Sequence, residues 1–191
     1  MNQQASSRKA QPHREEGVTR LSVAGFKSIS QEQSIGIRPL TILAGANSSG
    51  KSSIMQPLLL LKQTLEETYD PGALLLYGPN VKFTFVDQLL SRMGRGKTSD
   101  TLVLGITVGS ELTLTLFLHR QSSGGINVQR MSCLDGGETT SLHLGMTHEE
   151  ILSAVPSRVR ELLEGMPKIV GENPKLIVVR DRCFLEIALL V

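Results

Sequence analysis

The residues with the clearest chemical potential form one short run. In order they are Gly45, Ala46, Asn47, Ser48, Ser49, Gly50, Lys51, Ser52 and Ser53. The two glycines permit backbone angles that side chains resist, so that successive N–H groups can point into one concave anion site. Lys51 adds a compact positive charge, and the Ser52 hydroxyl is a suitable Mg²⁺ ligand, whereas Ser53 is expected to be a first-turn helix residue. The spacing G-x-x-x-x-G-K-S therefore predicts a loop that wraps phosphate groups at the start of a helix.

The segments on either side of this loop fit the same interpretation. Residues 40–44 form a short apolar run, which indicates a buried strand, and residues 54–65 are rich in Leu and indicate a helix. Strand, glycine loop and helix, in this order, are the context that a nucleotide-binding P-loop requires. The alternative is a turn rich in Gly and Ser that binds nothing.

The rest of the chain predicts an α/β fold with many antiparallel strands. Residues 1–17 contain almost no apolar side chains and predict a disordered tail. Alternating Leu and Thr over residues 111–119 give the clearest strand signal, and Thr147 with Glu150 predicts a helix capping box. Strands are expected at residues 18–26, 35–37, 101–108, 111–119, 126–133, 139–144, 175–180 and 183–191, and helices at residues 87–93 and 147–164.

Composition narrows the class of protein. The chain has 191 residues, enough for one domain or a domain with a subdomain, and its net charge of +2 argues neither for nor against nucleic acid. Cys133 and Cys183 lie far apart without metal-site spacing, which predicts reduced thiols rather than a disulfide framework or a zinc site. No signal peptide and no run of membrane-spanning length is visible, so we expect a soluble, cytoplasmic protein without membrane contact.

Two groups of polar residues have a functional and a plain interpretation. Arg92, Arg95 and Lys97 flank two glycines, so that they either contact phosphate or form a solvated loop, and we favour the loop. His143 and His148 are expected to be surface or hydrogen-bonded core residues rather than metal ligands.

Hydrolysis of a nucleoside triphosphate also needs an acidic residue at a strand end. No run of four apolar residues followed by Asp-Glu occurs, and Asp87 and Asp181 end weaker runs that we interpret as solvent-facing strand ends. Residues 185–191 are almost wholly apolar. Together with the missing acid, this end favours a chain cut short of its normal length, so we expect an incomplete fold.

Three segments together are more specific than the loop alone. They are Gly25-Phe26-Lys27-Ser28-Ile29, Pro39-Leu40-Thr41-Ile42-Leu43, and the loop continued by Ile54-Met55-Gln56. In this combination the chain resembles the opening of AAA-type ATPases of the ABC-like class, which includes RecF-like, SMC-like and OLD-family proteins. The resemblance covers residues 18–92. It implies that residues 18–191 form a P-loop ATP-binding head, with a mixed sheet and an antiparallel β subdomain over about residues 101–144.

The resemblance also implies ligands and partners. ATP and Mg²⁺ are the expected cofactors, and two heads, from a homodimer or a partner ATPase chain, would sandwich the nucleotides. DNA is a partner by family analogy only. Gln88 has roughly the spacing of the residue that contacts Mg²⁺ and water in this class, but its neighbours are not diagnostic.

The chain departs from the family in its second half. The signature motif, the acidic strand and the switch histidine are not visible, and Gly124-Gly125 and Gly136-Gly137 lack the preceding Leu-Ser. Three functions therefore stay open. The first is an ATP-binding head of the ABC-like class whose ATPase activity is uncertain. The second is a regulatory or assembly module that binds nucleotide and needs a partner chain. The third, a P-loop kinase of small substrates, is disfavoured by the antiparallel strands and by residues 25–29.

Overall fold

The computed structural model describes residues 17–47, 49–92, 98–165 and 175–190, and residues 1–16 of the expected tail lie outside this part. The described strands are Val18–Ala24 (β1), Gln33–Gly36 (β2), Thr101–Val108 (β3), Leu112–Arg120 (β4), Ile126–Asp135 (β5), Glu138–His143 (β6), Lys175–Asp181 (β7) and Phe184–Leu190 (β8). The described helices are Lys51–Leu65 (α1), His148–Ala154 (α2) and Ser157–Glu164 (α3), with a 3₁₀ turn at Val86–Gln88. The fold is mixed α/β.

Six of these strands form one sheet in the order β2-β1-β3-β4-β5-β6, and β7 with β8 forms a separate two-stranded sheet. Every pairing between the described strands is antiparallel, so the expected mixed sheet is not found among them. The strands expected over residues 101–144 are present as the antiparallel strands β3 to β6, and they share one sheet with β1 and β2.

The hydrophobic core covers one face of the large sheet. Leu21 of β1, Leu104 of β3 and Leu116 of β4 are almost completely buried there, and Leu60 and Leu61 of α1 belong to the same cluster. Each such leucine stabilises the fold by about 2 kcal/mol. The core therefore fixes β1 relative to α1, the helix that begins directly after the glycine loop.

The region expected to form one helix forms two, α2 and α3. The predicted capping box is confirmed: the Thr147 hydroxyl accepts from the Glu150 N–H, and the Glu150 carboxylate accepts from the Thr147 N–H at 2.7 Å. The hydrogen bond from the Thr147 backbone N–H is the largest cause that lowers the pKa of Glu150, and the Thr147 side chain lowers it further. The single helix expected over residues 147–164 is wrong, since Val155 has an extended backbone before Pro156 and separates α2 from α3.

The β7–β8 hairpin holds the far end of α1. Arg182 in its turn donates to the Leu65 carbonyl at 2.8 Å, at the last residue of the helix. Arg180 forms two hydrogen bonds to the Asp70 carboxylate, at 3.0 and 2.8 Å, and thereby lowers the pKa of Asp70. The helix expected at residues 87–93 is, over its described part, only the turn Val86–Gln88.

Candidate anion-binding site

The glycine loop leads directly into α1. Gly50 is the residue before the helix and has a left-handed backbone with φ of 89°, and Gly45 has φ of 153°. A Cβ on Gly45 would lie 2.8 Å from Ser49 Oγ, and one on Gly50 would lie 3.3 Å from Ser28 Oγ. Both positions therefore favour glycine through backbone conformation and through close packing. The Ser49 N–H donates to the Ala46 carbonyl at 3.3 Å and closes the turn.

Lys51 is the first residue of α1, and its ammonium group folds back over the loop. It donates to the Ala46 carbonyl at 2.6 Å and to the Gly45 carbonyl at 2.7 Å, and it lies 3.5 Å from Ser49 Oγ. All three partners are neutral. The positive charge is therefore positioned by the loop without being neutralised by these contacts.

The start of α1 has the electrostatics of an anion site. No side chain caps the helix at Gly50, and its first turn contains no acidic residue. The first N–H groups of a helix have no partner within the helix, and they carry the positive end of its dipole. Ser52 and Ser53 of the first turn line the adjoining cavity with Lys51.

This cavity has a volume of about 400 Å³. Its lining consists of Lys27, Ser28, Asn47, Ser49 and residues 50–53. The lining residues include two lysines and four serines, and none of them is acidic. A second hollow of about 650 Å³ shares Ser28, Ser49, Gly50 and Lys51 with it, so a ligand larger than a phosphate group has room beside the loop. The arrangement can attract and hold a multiply charged anion.

Lys27 is a site residue that the sequence did not identify by itself. It follows β1, has a left-handed φ of 49°, and donates its backbone N–H to the Leu89 carbonyl at 2.7 Å. Its ammonium donates to Gln56 Oε1 at 2.7 Å and lies 4.6 Å from the centre of the Phe83 ring. Burial lowers the pKa of Lys27. The only signal in the sequence was its place in the segment of residues 25–29, which served as a family signature and not as a ligand prediction.

The loop residues expected to bind nucleotide come together around this cavity. Asn47 and Ser49 line it with residues 50–53, whereas Gly45 and Ala46 provide the carbonyl groups that hold Lys51. Ser48 lies outside the described residues. Ser52, the expected Mg²⁺ ligand, is exposed at the cavity. No group of three or more His, Cys, Asp or Glu side chains in the described ranges is arranged to hold a metal ion.

The strand expected before the loop is absent from the described sheets. Residues 40–44 lie outside both sheets, and Leu40 and Ile42 are 79% and 78% exposed. The Thr41 hydroxyl accepts from the Arg38 N–H at 2.8 Å, a local bond that bends the chain and competes with strand pairing. An apolar run becomes a strand only beside a partner, and none of the described strands lies alongside. The strand prediction is therefore wrong here, while the glycine loop and the helix are present.

Asp87, Asp181 and Gln88, the candidates for catalysis, are not among the residues that line the cavity. Asp87 pairs with Arg120 at 3.1 Å, and Asp181 pairs with Arg182 at 3.3 Å. The Gln88 side chain accepts from the Thr84 N–H at 2.8 Å and does not line the cavity.

The remaining polar candidates have structural partners or fall outside the described ranges. His148 Nδ1 accepts from the Leu176 N–H at 3.0 Å, and His143 Nδ1 lies 3.1 Å from the Leu144 carbonyl. Arg95 and Lys97 lie outside the described residues. Cys133 and Cys183 are free thiols.

Comparisons with known proteins do not assign a function to this site. The chain matches no protein-family model, and a search of curated proteins gives no significant match. Within the described ranges, every helix is too short or too polar to cross a lipid bilayer.

Proposed function

We propose that this chain binds ATP with Mg²⁺ at residues 45–53, as part of a P-loop nucleotide-binding fold of the ABC-like class. One observation carries the proposal. The cavity at the uncapped start of α1 is lined by Lys27 and Lys51 and by no carboxylate. Such a combination of helix N-terminus, glycine backbone and ammonium groups favours a phosphate chain over a neutral or cationic ligand. The adenine base is proposed from the sequence resemblance, since the cavity itself selects for phosphate.

The loop would exchange its internal bonds for bonds to phosphate. Lys51 is held by the Gly45 and Ala46 carbonyl groups, and an anionic oxygen is a stronger acceptor than either neutral carbonyl. We therefore infer that Lys51 turns from these carbonyls to the phosphates, with the backbone N–H groups of the first turn of α1 beside it. Lys27 would add a second positive charge from the end of β1.

The Ser52 hydroxyl is a suitable ligand for Mg²⁺. Mg²⁺ commonly uses one or two protein ligands and takes its other positions from water and phosphate. When bound, it would neutralise part of the charge of the phosphate groups. A cavity lined by hydroxyl groups without a carboxylate is compatible with that arrangement.

A second candidate is a nucleotide-binding module without its own turnover. The observation that favours it is the position of the acids: Asp87 and Asp181 are paired with arginines and neither lines the cavity. A second copy or a partner ATPase chain would then supply the acid and the signature motif. We place either form in the cytoplasm, where thiols such as Cys133 and Cys183 stay reduced.

Calorimetry with ATP, ADP and AMP tests the binding proposal, and phosphate release tests turnover. We expect affinity to fall in the order ATP, ADP, AMP in the presence of Mg²⁺, because each lost phosphate removes contacts with the two lysines. Turnover that Lys51→Ala abolishes would support an ATPase, and binding without turnover would support the module. Equal affinity for all three nucleotides, or no binding, would contradict both.

A further inference from the structure

The face of the large sheet turned away from the core has an unusual composition. Strand alternation places small and hydroxyl-bearing residues there, among them Ser22, Thr107, Thr113, Thr115, Ser132 and Ser141. The hydroxyl groups of Thr107 and Thr113 lie 3.0 Å apart and show that neighbouring strands present the same face. We call this surface the outer face. Its residues are half-buried or exposed, except for Gly105.

The outer face has positive groups and no acidic ones. In the six strands of this sheet the acidic residues are Asp135 and Glu138. They lie opposite each other in the strand register, next to the turn between β5 and β6. Arg20 and Arg130 belong to the outer face. A phosphate group can therefore approach this surface without meeting a carboxylate on its strands.

Arg130 and Phe117 form a stacked pair at the centre of β4 and β5. They are direct partners in the register, and the guanidinium carbon lies 3.8 Å from the centre of the Phe117 ring. Arg130 is exposed, and its guanidinium group lies over the Phe117 ring. The ring thus holds a planar cation in place, which lowers the entropy lost when a second planar group stacks on it.

Groups that can form directional hydrogen bonds surround this pair. A hollow of about 700 Å³ is lined by Phe117, Arg130, His119, Asn127 and His143, together with Gln129. The register shifts between Phe117 and Leu118, and this bulge leaves Gln129 without an opposite residue on β4. Amide and imidazole side chains can read the edges of a base, while an aromatic ring or an arginine plane supports its face.

We infer that the outer face binds single-stranded nucleic acid, with a base stacked on the guanidinium group of Arg130. A free base needs an exposed planar platform, and its phosphates need a surface without carboxylates; the outer face has both. A duplex hides its bases and offers no such stack. This inference goes beyond the proposed nucleotide binding and depends on other residues, since none of the lining of the hollow belongs to the glycine loop.

Fluorescence anisotropy with labelled oligonucleotides of about 12 nucleotides tests the inference. The probes are one single-stranded DNA, the RNA of the same sequence, and the matching duplex, at about 50 mM salt. We expect both single strands to bind at least about tenfold more tightly than the duplex. Arg130→Gln should weaken this binding by about tenfold, and so should Arg130→Lys, because lysine keeps the charge and loses the plane.

Arg158→Gln is the matched control, since Arg158 is an exposed arginine on α3 and its loss changes the net charge equally. Its affinity should stay within about twofold of wild type. Lys51→Ala should also bind the oligonucleotide normally, which separates this test from the proposed ATP site. Circular dichroism melting checks that every variant is folded, and Arg130→Lys preserves a cation on Phe117 if Arg130→Gln is unstable.

Several results would overturn the inference. These are no saturable change in anisotropy, equal affinity for duplex and single strands, or equal effects of Arg130→Gln and Arg158→Gln. Binding of poly-glutamate with the same dependence on Arg130 would show a general anion surface and would also refute recognition of nucleic acid.

Discussion

Replacing Lys27 with methionine separates the role of its charge from the role of its packing. Methionine keeps an unbranched apolar stem beside Phe83, and it removes the positive charge of a residue that lines the cavity with Lys51. A unit charge about 4 Å from a phosphate contributes about 4 kcal/mol at an effective dielectric constant of about 20. Desolvation and the loosened bond to Gln56 offset about 2 kcal/mol of this gain. We therefore expect Lys27→Met to raise the Kd for ATP by roughly thirtyfold.

The stability of this variant should change little. Burial lowers the pKa of Lys27, which means that the folded protein already disfavours the charged form. Loss of the contact with Phe83 and of the bond to Gln56 destabilises the fold, and removal of the partly buried charge offsets part of this effect. The free energy of unfolding should therefore fall by about 1 kcal/mol. Urea denaturation without ligand measures this change, and calorimetry at fixed ionic strength measures the affinity.

Lys82→Met is the matched control for Lys27→Met. Lys82 is an exposed lysine beside an aromatic ring, 5.4 Å from the centre of Tyr77, and it does not line the cavity. Its loss should change the Kd for ATP by less than about twofold. If both variants weaken ATP binding equally, or neither does, the assignment of Lys27 to the site is wrong.

Three further predictions concern the loop, a cap and a buried thiol. Gly50 and Gly72 both have a left-handed backbone, which alanine disfavours, so Gly50→Ala and Gly72→Ala should each lower the free energy of unfolding in urea by about 1–2 kcal/mol. Only the change at Gly50 should weaken ATP binding. Thr147→Ala should cost about 1 kcal/mol through loss of the capping box, and Thr147→Ser should restore it. Burial raises the pKa of Cys183 from 9.0 to about 11, so the folded state holds this proton more tightly than the unfolded state. The stability due to this shift is fully present below pH 9 and is lost as the pH rises through about 11. The loss should amount to about 3 kcal/mol relative to Cys183→Ala under urea denaturation; a parallel pH dependence of the two proteins would contradict it.

Local sequence signals predicted those parts of the fold that local physics determines. The period of two in β4, the glycines between β5 and β6 and the Thr147–Glu150 box each specify structure within a few residues. The break between α2 and α3 was also readable, because Pro156 restricts the residue before it, although one helix was expected over residues 147–164.

Features that depend on distant partners were not predictable in this way. Residues 40–44 have the composition of a strand, yet a strand forms only when a neighbouring strand is available for hydrogen bonding, and composition does not predict that neighbour. Lys27 joins the cavity only because β1 and α1 share one core, and Arg130 meets Phe117 only through the register of β4 and β5. In the candidate site, the loop residues were therefore predicted and the second lysine was not.

The proposed function requires that the first turn of α1 and the loop before it hold a phosphate chain. Amide chemical shifts followed by NMR during titration with ATP and Mg²⁺ would locate the ligand on the chain. We expect saturable shifts at Ser49 and at residues 50–53, with a further change at Lys27. These shifts should be lost in Lys51→Ala, whereas Lys62→Ala, on the exposed side of the same helix, should behave as wild type. Shifts confined to other parts of the protein, or an unchanged response in Lys51→Ala, would contradict it.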